Sequence, residues 1–216
     1  MRTTTIEILE ELFSRYPALS CCKSDIAESA AALIKAFQMG RKLLVCGNGG
    51  SAADSEHIVG ELMKAFKLER RLEASIQDTI RKHYPDVAEE LIENLQGAVP
   101  AISLVSETAL MTAFGNDMSA QLVYAQQVLS YGQPGDILLA ITTSGNSTNV
   151  LHAARIAKIC GVQVIALTGE TGGKIMNLSD ICICAPSNVT YLIQEYHLPI
   201  YHCLCACVEN ELFAVA

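Results

Sequence analysis

Two turns rich in glycine and hydroxyl side chains are the features of the sequence best suited to bind a ligand. They read Cys46-Gly-Asn-Gly-Gly-Ser-Ala-Ala-Asp and Ile141-Thr-Thr-Ser-Gly-Asn-Ser-Thr-Asn. Glycines let backbone N–H groups turn toward a ligand, and the helix after each turn presents further N–H groups. The residues of this predicted anion cradle are Gly49, Ser51, Thr142, Thr143, Ser144 and Ser147. Their hydroxyl groups suit a phosphate monoester.

Two alternatives compete with a phosphate site. Either turn alone also fits ordinary helix capping and turn formation. In addition, Gly47-x-Gly49-x-x-Ala52 formally satisfies the dinucleotide fingerprint. A dinucleotide site needs an acidic residue at the end of the next strand, about 20 residues on. That distance lands at Glu69, far before the next apolar run, so we expect no nucleotide cofactor.

Four polar residues lie where they could act on a ligand held by these turns. His57 and Glu61 are four residues apart, so on a helix they share one face directly after the first turn. Gln194 and His202 are eight residues apart and lie about 80° from each other around a helix axis. Polar side chains in so apolar a helix need a partner, although a lone histidine there is usually a hydrogen-bonded core residue.

Apolar runs alternate with amphipathic segments along the chain. The predicted strands are 42–46, 101–105, 136–142, 162–167 and 181–185. The predicted helices are 3–16, 24–39, 51–67, 147–160 and the segment after Thr190, with further helical material up to Leu129. This alternation predicts an α/β fold, a doubly wound five-stranded parallel sheet of flavodoxin-like or Rossmann-like type. The loops after the first and third strands then lie at the ligand site.

The whole chain, 1–216, is predicted to form one domain. Residues 1–40 form two helices ahead of the first strand. The segment 72–97 is charged and helical in pattern, is broken at Tyr84-Pro85, and lacks an apolar run that could be a central strand. We interpret this segment as a helical insertion.

Composition argues against several classes of protein. Fifteen Lys and Arg stand against 23 Asp and Glu, a net charge of −8 without a basic cluster, so nucleic-acid binding is not expected. The acidic N-terminus lacks the apolar core of a signal peptide, and charged residues interrupt the apolar segment 191–216. We therefore expect a cytoplasmic protein that does not enter the membrane. The nine cysteines lack zinc-knuckle spacing and are expected to be reduced thiols that pack as small apolar side chains.

The two turns together resemble the sugar isomerase (SIS) domain family. The matching stretches are Gly47-Asn-Gly-Gly-Ser-Ala-Ala-Asp and Thr142-Thr-Ser-Gly-Asn-Ser, and the likeness extends over most of the chain outside 72–97. Within that family the sequence is similar to the phosphoheptose isomerases. The local matches are His57-x-x-x-Glu61, Gly115-Asn-Asp, and Ile193-Gln-Glu-Tyr-His with His202.

This resemblance implies an aldose–ketose isomerase that converts sedoheptulose 7-phosphate to D-glycero-D-manno-heptose 7-phosphate through an enediol. It implies that Glu61 is the base at the carbon-bound proton and that His202 is the acid–base partner at the oxygens. The implied phosphate ligands are Ser51, Thr142, Ser144 and Ser147, and the implied or candidate sugar contacts are Asn48, Asn116, Asp117 and Gln194.

The resemblance also implies a metal and an assembly. Zinc would be bound by His57, Glu61, Gln194 and His202. Two imidazoles and a carboxylate are ordinary zinc ligands, whereas an amide oxygen is unusual. The implied assembly is a homotetramer whose active sites lie between subunits.

Two other functions stay open at this point. Some members of the family lack the catalytic pair and bind an initiator protein of DNA replication, which would make this chain a non-catalytic adaptor or phosphosugar-binding protein. The segment 72–97 departs from the best-known enzymes, which leaves open the isomerisation of a different sugar phosphate.

Overall fold

A five-stranded parallel sheet forms the centre of the computed structural model, which describes residues 1–214. The strands are β1 (Leu43–Cys46), β2 (Ala101–Ser103), β3 (Ile137–Ile141), β4 (Gln163–Gly169) and β5 (Ile181–Ala185). Their order across the sheet is β2-β1-β3-β4-β5, and all neighbouring pairs are parallel. The predicted α/β fold with a doubly wound parallel sheet is therefore confirmed.

Helices connect the strands and precede the first one. They are α1 (Thr3–Arg15), α2 (Lys23–Gln38), α3 (Gly50–Met63), α4 (Ala74–His83), α5 (Ala88–Asn94), α6 (Thr108–Phe114), α7 (Val123–Tyr131), α8 (Thr148–Ile159) and α9 (Thr190–Phe213). Short 3₁₀-helical or π-helical turns occupy Pro17–Cys22, Gly115–Ser119, Ala120–Leu122 and Gly173–Asn177.

The sheet is covered on both faces because its strands are apolar on both faces. Every residue of β1 and β3 is buried, as expected for central strands of a parallel sheet. One face packs against α1, α2, α3 and α9. The other face packs against α7 and α8. In the sheet, β2 lies on one side of β1 and β3 lies on the other side. The strand order therefore reverses between β1 and β3.

The third helix ends earlier than the sequence pattern predicts. Residues 51–67 were expected to be helical, but α3 ends at Met63. Beyond it, the backbone N–H groups of Phe66, Lys67 and Leu68 donate to the carboxylate of Glu209 over 2.7 to 3.1 Å. The chain leaves the helix because this buried carboxylate takes the N–H groups that helical bonds would otherwise use.

The C-terminal helix α9 belongs to the core. Its middle is buried, and it packs beside α3 and the two N-terminal helices. Pro199 lies inside α9 without ending it. Among residues 1–214, no helix is both long enough and apolar enough to cross a bilayer.

The segment 72–97 contains two short helices, as predicted. Helices α4 and α5 follow each other as a hairpin, and α4 has no buried residue. The backbone N–H of Gly97 donates to the carbonyl of Arg70 at 2.7 Å. The hairpin therefore leaves and rejoins the body of the protein at neighbouring positions.

Candidate active site

The first turn is held in place by contacts from the opposite face of the sheet. The hydroxyl of Tyr124 donates to the carbonyl of Gly47 at 2.6 Å and lies 3.3 Å from Oδ1 of Asn48. Burial raises the pKa of Tyr124 to about 12, so its proton stays on the donor oxygen. Gly49 has a φ of +58°, a left-handed conformation that favours glycine. Ser51 is buried in the first turn of α3.

The second turn carries its hydroxyl groups close together. Oγ1 of Thr142 lies 3.1 Å from Oγ of Ser147, and Oγ of Ser144 accepts from the N–H of Asn146 at 3.2 Å. Gly145 has a φ of +66°, and a Cβ at this position would collide with the carbonyl of Gly172. The turn can form only with glycine at its centre and with the β4–β5 connection packed beneath it.

The two turns lie side by side at the switch point between β1 and β3. The amides of Asn48 and Asn149 exchange two hydrogen bonds, each of 2.9 Å. These bonds link the first turn directly to the first residues of α8. Helices α3 and α8 both begin here, so their N-terminal N–H groups converge on one place. A ligand is expected there in doubly wound sheets, and the arrangement suits an anion.

Gln194 lies at the same end of the molecule as the turns. A Cβ added at Gly50 would collide with the side-chain amide of Gln194, so this amide lies directly over the start of α3. His202 is eight residues further along α9, which is about 12 Å of helix axis. Within one chain, the structure does not bring Gln194 and His202 together.

Three of the four predicted polar residues do form a cluster, near the C-terminal end of α3. Nε2 of His57 lies 3.3 Å from Oε1 of Glu61. The rings of His57 and His202 are 5.0 Å apart and nearly perpendicular. The other ring nitrogen of His57 lies 3.0 Å from the hydroxyl of Tyr201, which donates to Asp54 at 3.2 Å. The cluster is therefore a hydrogen-bonded network between α3 and α9.

Burial sets the charge states within this network. Desolvation lowers the pKa of His202, and the neighbouring His57 lowers it further. Desolvation raises the pKa of Asp54 and of Tyr201. Glu61 has a side chain only 12% exposed and also contacts Lys64 at 3.1 Å. Glu61 opposes the lowering of the His202 pKa, but the net effect of burial and His57 is to favour the neutral form of the His202 ring near the Glu61 carboxyl group. An imidazole and a carboxyl group together can transfer protons between neighbouring oxygens and carbons.

A buried ion pair lies next to the cluster, at the C-terminal end of α3. Arg70 and Glu209 are joined at 2.7 Å, with side chains 0% and 1% exposed. Arg70 also donates to the backbone carbonyls of Glu61 and Leu62, at 3.0 and 2.7 Å. The ion pair therefore fixes the end of α3, where Glu61 lies, against α9.

A cavity of about 440 Å³ opens beside His202, between α1, α9 and the chain after α3. Phe66 lines it and stacks on His202 with ring centroids 5.4 Å apart. Within the described chain, the residues of the two turns do not line this cavity. The anion site and the His202 cavity are therefore separate spaces in one chain.

Asn116 and Asp117 lie in the π-helical turn between α6 and α7. Their side chains are exposed and hydrogen-bond to each other at 2.9 Å. Their contact with a sugar stays a prediction.

The side chains of the four predicted zinc ligands are chemically suited to zinc, but a single chain does not bring all four together. Nε2 of His202 is buried without a hydrogen-bond partner in the described structure, and His57 and Glu61 lie next to it. Across residues 1–214, however, no group of three or more His, Cys, Asp or Glu side chains is arranged to hold a metal ion. The fourth predicted ligand, Gln194, lies over the start of α3.

Several residues of the site were not identified from the sequence. They are Tyr124 and Asn149 at the turns, and Asp54, Lys64, Tyr201, Arg70 and Glu209 at the cluster. Asp54 shares a helix face with His57, three residues on, and Tyr201 shares one with Gln194, seven residues before, so helical spacing could have indicated both. The partners of Tyr124 and Glu209 are distant in sequence and leave no local pattern.

These features define a doubly wound α/β protein with two glycine- and hydroxyl-rich turns at its switch point and an imidazole–carboxylate network on the adjoining helices. The sequence matches the SIS domain over residues 18–107 and 83–169. The chain belongs to the SIS domain family.

Curated relatives share most of the chain. It is 39% identical over 205 residues to the phosphoheptose isomerase of Thiobacillus denitrificans, covering 94% of this chain and 91% of that protein. It is 41% identical over 189 residues to the phosphoheptose isomerase of Pelobacter propionicus, covering 88% and 86%.

Solved structures agree with this similarity. The phosphoheptose isomerase of Neisseria gonorrhoeae superimposes with a TM-score of 0.71 at 30% identity, covering 96% of this chain and 94% of that chain. That of Francisella tularensis gives 0.70 at 32% identity, with 96% and 93% covered. The family predicted from the two turns is confirmed.

Proposed function

We propose that this protein is a phosphoheptose isomerase that interconverts sedoheptulose 7-phosphate and D-glycero-D-manno-heptose 7-phosphate. The observation that carries the proposal is the combination of paired phosphate turns with the His57–Glu61–His202 network, in a chain similar to phosphoheptose isomerases over most of its length. An adaptor that only binds a ligand needs no such network.

The chemistry follows from the charge states of the network. The carboxylate of Glu61 removes the proton from C1 of the ketose while His202 delivers a proton to the carbonyl oxygen on C2, which gives the enediol. His202 then accepts the proton of the C1 hydroxyl, and Glu61 returns its proton to C2. Desolvation lowers the pKa of His202, which favours the neutral ring that exchanges a proton in both steps. His57 and Lys64 hold the Glu61 carboxylate in position.

The proposed active site is composite, with parts from two chains. Gly50 and Glu61 are eleven residues apart on α3, or about 16 Å of helix axis. The reacting carbon of a seven-carbon ketose phosphate lies about seven bonds from phosphorus, roughly 8 to 9 Å when extended. One substrate therefore does not fit between the turns and Glu61 of the same chain. The proposed arrangement is a homotetramer in which the turns and Gln194 of one chain face the network of a neighbour.

A composite site also accommodates the proposed zinc. His57, Glu61 and His202 of one chain and Gln194 of another would supply the four donors that one chain does not bring together. When bound, zinc would polarise the substrate carbonyl as a Lewis acid. The proposed enzyme works in the cytoplasm, where its nine free thiols would stay reduced.

The proposal is tested by incubating the purified protein with sedoheptulose 7-phosphate and measuring the aldose formed, with and without a chelator. Glu61→Gln should lower kcat by about 10²- to 10⁴-fold, because the base is lost. Glu56→Gln is the matched control, since Glu56 lies on the same helix but is exposed and accepts a hydrogen bond from Ser106, away from the network. No turnover of this or other ketose phosphates by the unaltered protein would refute the proposal.

A further inference from the structure

Two cysteines on the edge strand β5 form a thiol pair that the proposed isomerisation does not use. Cys182 and Cys184 project from the same face of the strand because side chains alternate along it. Their Sγ atoms are 3.7 Å apart. Both side chains are partly exposed, so an ion from solvent can reach them.

The sulfur separation matches that of a metal chelate. With metal–sulfur bonds of about 2.3 Å in tetrahedral geometry, two coordinating sulfurs lie roughly 3.8 Å apart. A disulfide would need the sulfurs at about 2 Å. Residues two apart on an extended strand have Cα atoms roughly 6.6 Å apart, near the upper limit for a disulfide. The pair is therefore spaced for chelation.

The contact between the two thiols favours a thiolate at Cys184. The hydrogen bond with Cys182 lowers the pKa of Cys184 to about 7, against the opposing effect of burial. The same hydrogen bond raises the pKa of Cys182. Coordination by both sulfurs would release the thiol protons.

A methionine side chain lies next to the pair. A Cβ added at Gly172 would collide with the terminal methyl group of Met176 and would lie 3.4 Å from Sγ of Cys184. Met176 and Cys184 are therefore neighbours across Gly172. Thiolates and thioethers select soft cations over hard ones.

We propose that Cys182 and Cys184 chelate one thiophilic d¹⁰ cation, such as Cd²⁺, Zn²⁺ or Cu⁺, with the thioether of Met176 as an adjoining donor. This site lies on β5, apart from the four side chains proposed to bind zinc on α3 and α9.

The thiol pair adjoins the segment that supports the second phosphate turn. The N–H of Ile175 donates to the carbonyl of Gly145 at 3.0 Å, and the N–H of Lys174 donates to the side chain of Asn146 at 3.2 Å. A cation that draws Met176 toward the sulfurs displaces this support and weakens phosphate binding. The effect on substrate rests on the proposed function, whereas the chelation does not.

The experiment is a Cd²⁺ titration of the reduced, full-length protein under anaerobic conditions. Binding is monitored by the thiolate-to-cadmium charge-transfer absorption. The unaltered protein is expected to bind one Cd²⁺ with thiolate absorption, and the double variant Cys182→Ser/Cys184→Ser should lose that absorption. Cys160→Ser, at another partly exposed cysteine, is the matched control and should keep it. Cd²⁺ loading should raise the KM for the sugar phosphate about fivefold or more, with a smaller change in kcat.

A second measurement does not depend on how the double variant folds. Bound Cd²⁺ should protect Cys182 and Cys184 of the unaltered protein from alkylation by iodoacetamide, as mapped by mass spectrometry. Undiminished thiolate absorption in a folded double variant, or alkylation that Cd²⁺ leaves unchanged, would overturn the chelation. Protection of both cysteines with an unchanged KM would overturn the coupling to phosphate binding. The absorption and protection need no turnover, so they remain informative if the isomerase proposal fails.

Discussion

The two ends of helix α3 are built in different ways. At its start, the two turns proposed to bind phosphate consist of backbone N–H groups and short side chains on two adjacent strand-to-helix links, joined by the Asn48–Asn149 amide pair. At its other end, the network consists of longer side chains on two packed helices, fixed by the Arg70–Glu209 ion pair. The proposed anion site follows from sheet topology, whereas the proposed reacting groups depend on how two helices pack.

The largest effect is expected from mixing two inactive variants. Glu61→Gln removes the base, and Gly50→Leu displaces Gln194 and covers the first turn. If each site joins the turns of one chain to the network of another, co-refolding equal amounts should restore about one quarter of the activity, because random assembly gives that share of intact sites.

The matched control for mixing is the double variant Glu61→Gln/Gly50→Leu co-refolded with either single variant, which should stay inactive. Activity in the mixture is measured as aldose formed from the ketose phosphate. A mixture of the two single variants that remains inactive, while containing mixed tetramers, would place the site within one chain.

The next largest effect concerns the anchor of the network. Arg70→Met leaves Glu209 buried without its cationic partner, which should lower the free energy of unfolding by about 3–5 kcal/mol. Urea denaturation measures this loss. Arg71→Met is the control, because Arg71 is 79% exposed in its pair with Glu69, and its effect should be within about 0.5 kcal/mol. Equal stability of the two variants would show that the ion pair does not hold the network end of α3.

At the anion end, Ser147→Ala should weaken substrate binding. Loss of one hydrogen bond to a charged group, about 1.5–3 kcal/mol, corresponds to a rise in KM of roughly tenfold or more. The value of kcat should change much less, since the phosphate that Ser147 would bind is about seven bonds from the reacting carbon. Ser130→Ala, at an exposed serine on α7, serves as the control. A lowered kcat with an unchanged KM would contradict the separation of binding and reaction between the two ends.

The smallest effect is expected from His197, which lies on α9 between Gln194 and His202. Burial lowers its pKa to about 4, although Nε2 contacts the carbonyl of Thr168 at 3.2 Å. The unfolded chain takes up this proton near pH 6.5, so folding stability falls as the pH decreases from about 6.5 toward 4. Between pH 6.5 and 5.5 the loss due to His197 should be about 1 kcal/mol.

Thermal or urea unfolding at the two pH values measures this loss. His197→Gln should remove that part of the pH dependence, whereas His152→Gln on the surface of α8 should retain it. An unchanged pH dependence in His197→Gln would show that this histidine does not take up a proton on unfolding in this range.

Much of the fold could be predicted because its signals are local. Apolar runs located all five strands, and the glycines at positions 49 and 145 marked the two turns. Strand alternation placed these turns at the same edge of the sheet. Their contact through Asn48 and Asn149 then follows from topology, so the proximity of the two turns could be predicted from the sequence, while anion binding stays a prediction.

The rest depends on packing between residues distant in sequence. The early end of α3 at Met63 results from N–H groups donated to Glu209, more than 140 residues away. Helical spacing correctly grouped His57 with Glu61, but the position of Gln194 over Gly50 depends on how α9 lies along α3. The sequence spacing of residues within one helix does not predict how two helices are aligned with each other.

The α4–α5 hairpin leaves and returns at adjacent backbone atoms of Arg70 and Gly97. Its tip at Tyr84 is exposed, and exposed tips of this kind tolerate new chain ends and inserted domains. The hairpin is consequently a natural place to open the chain for circular permutation or to attach a reporter. Such a reporter would stand beside the end of α3 without interrupting a strand of the sheet.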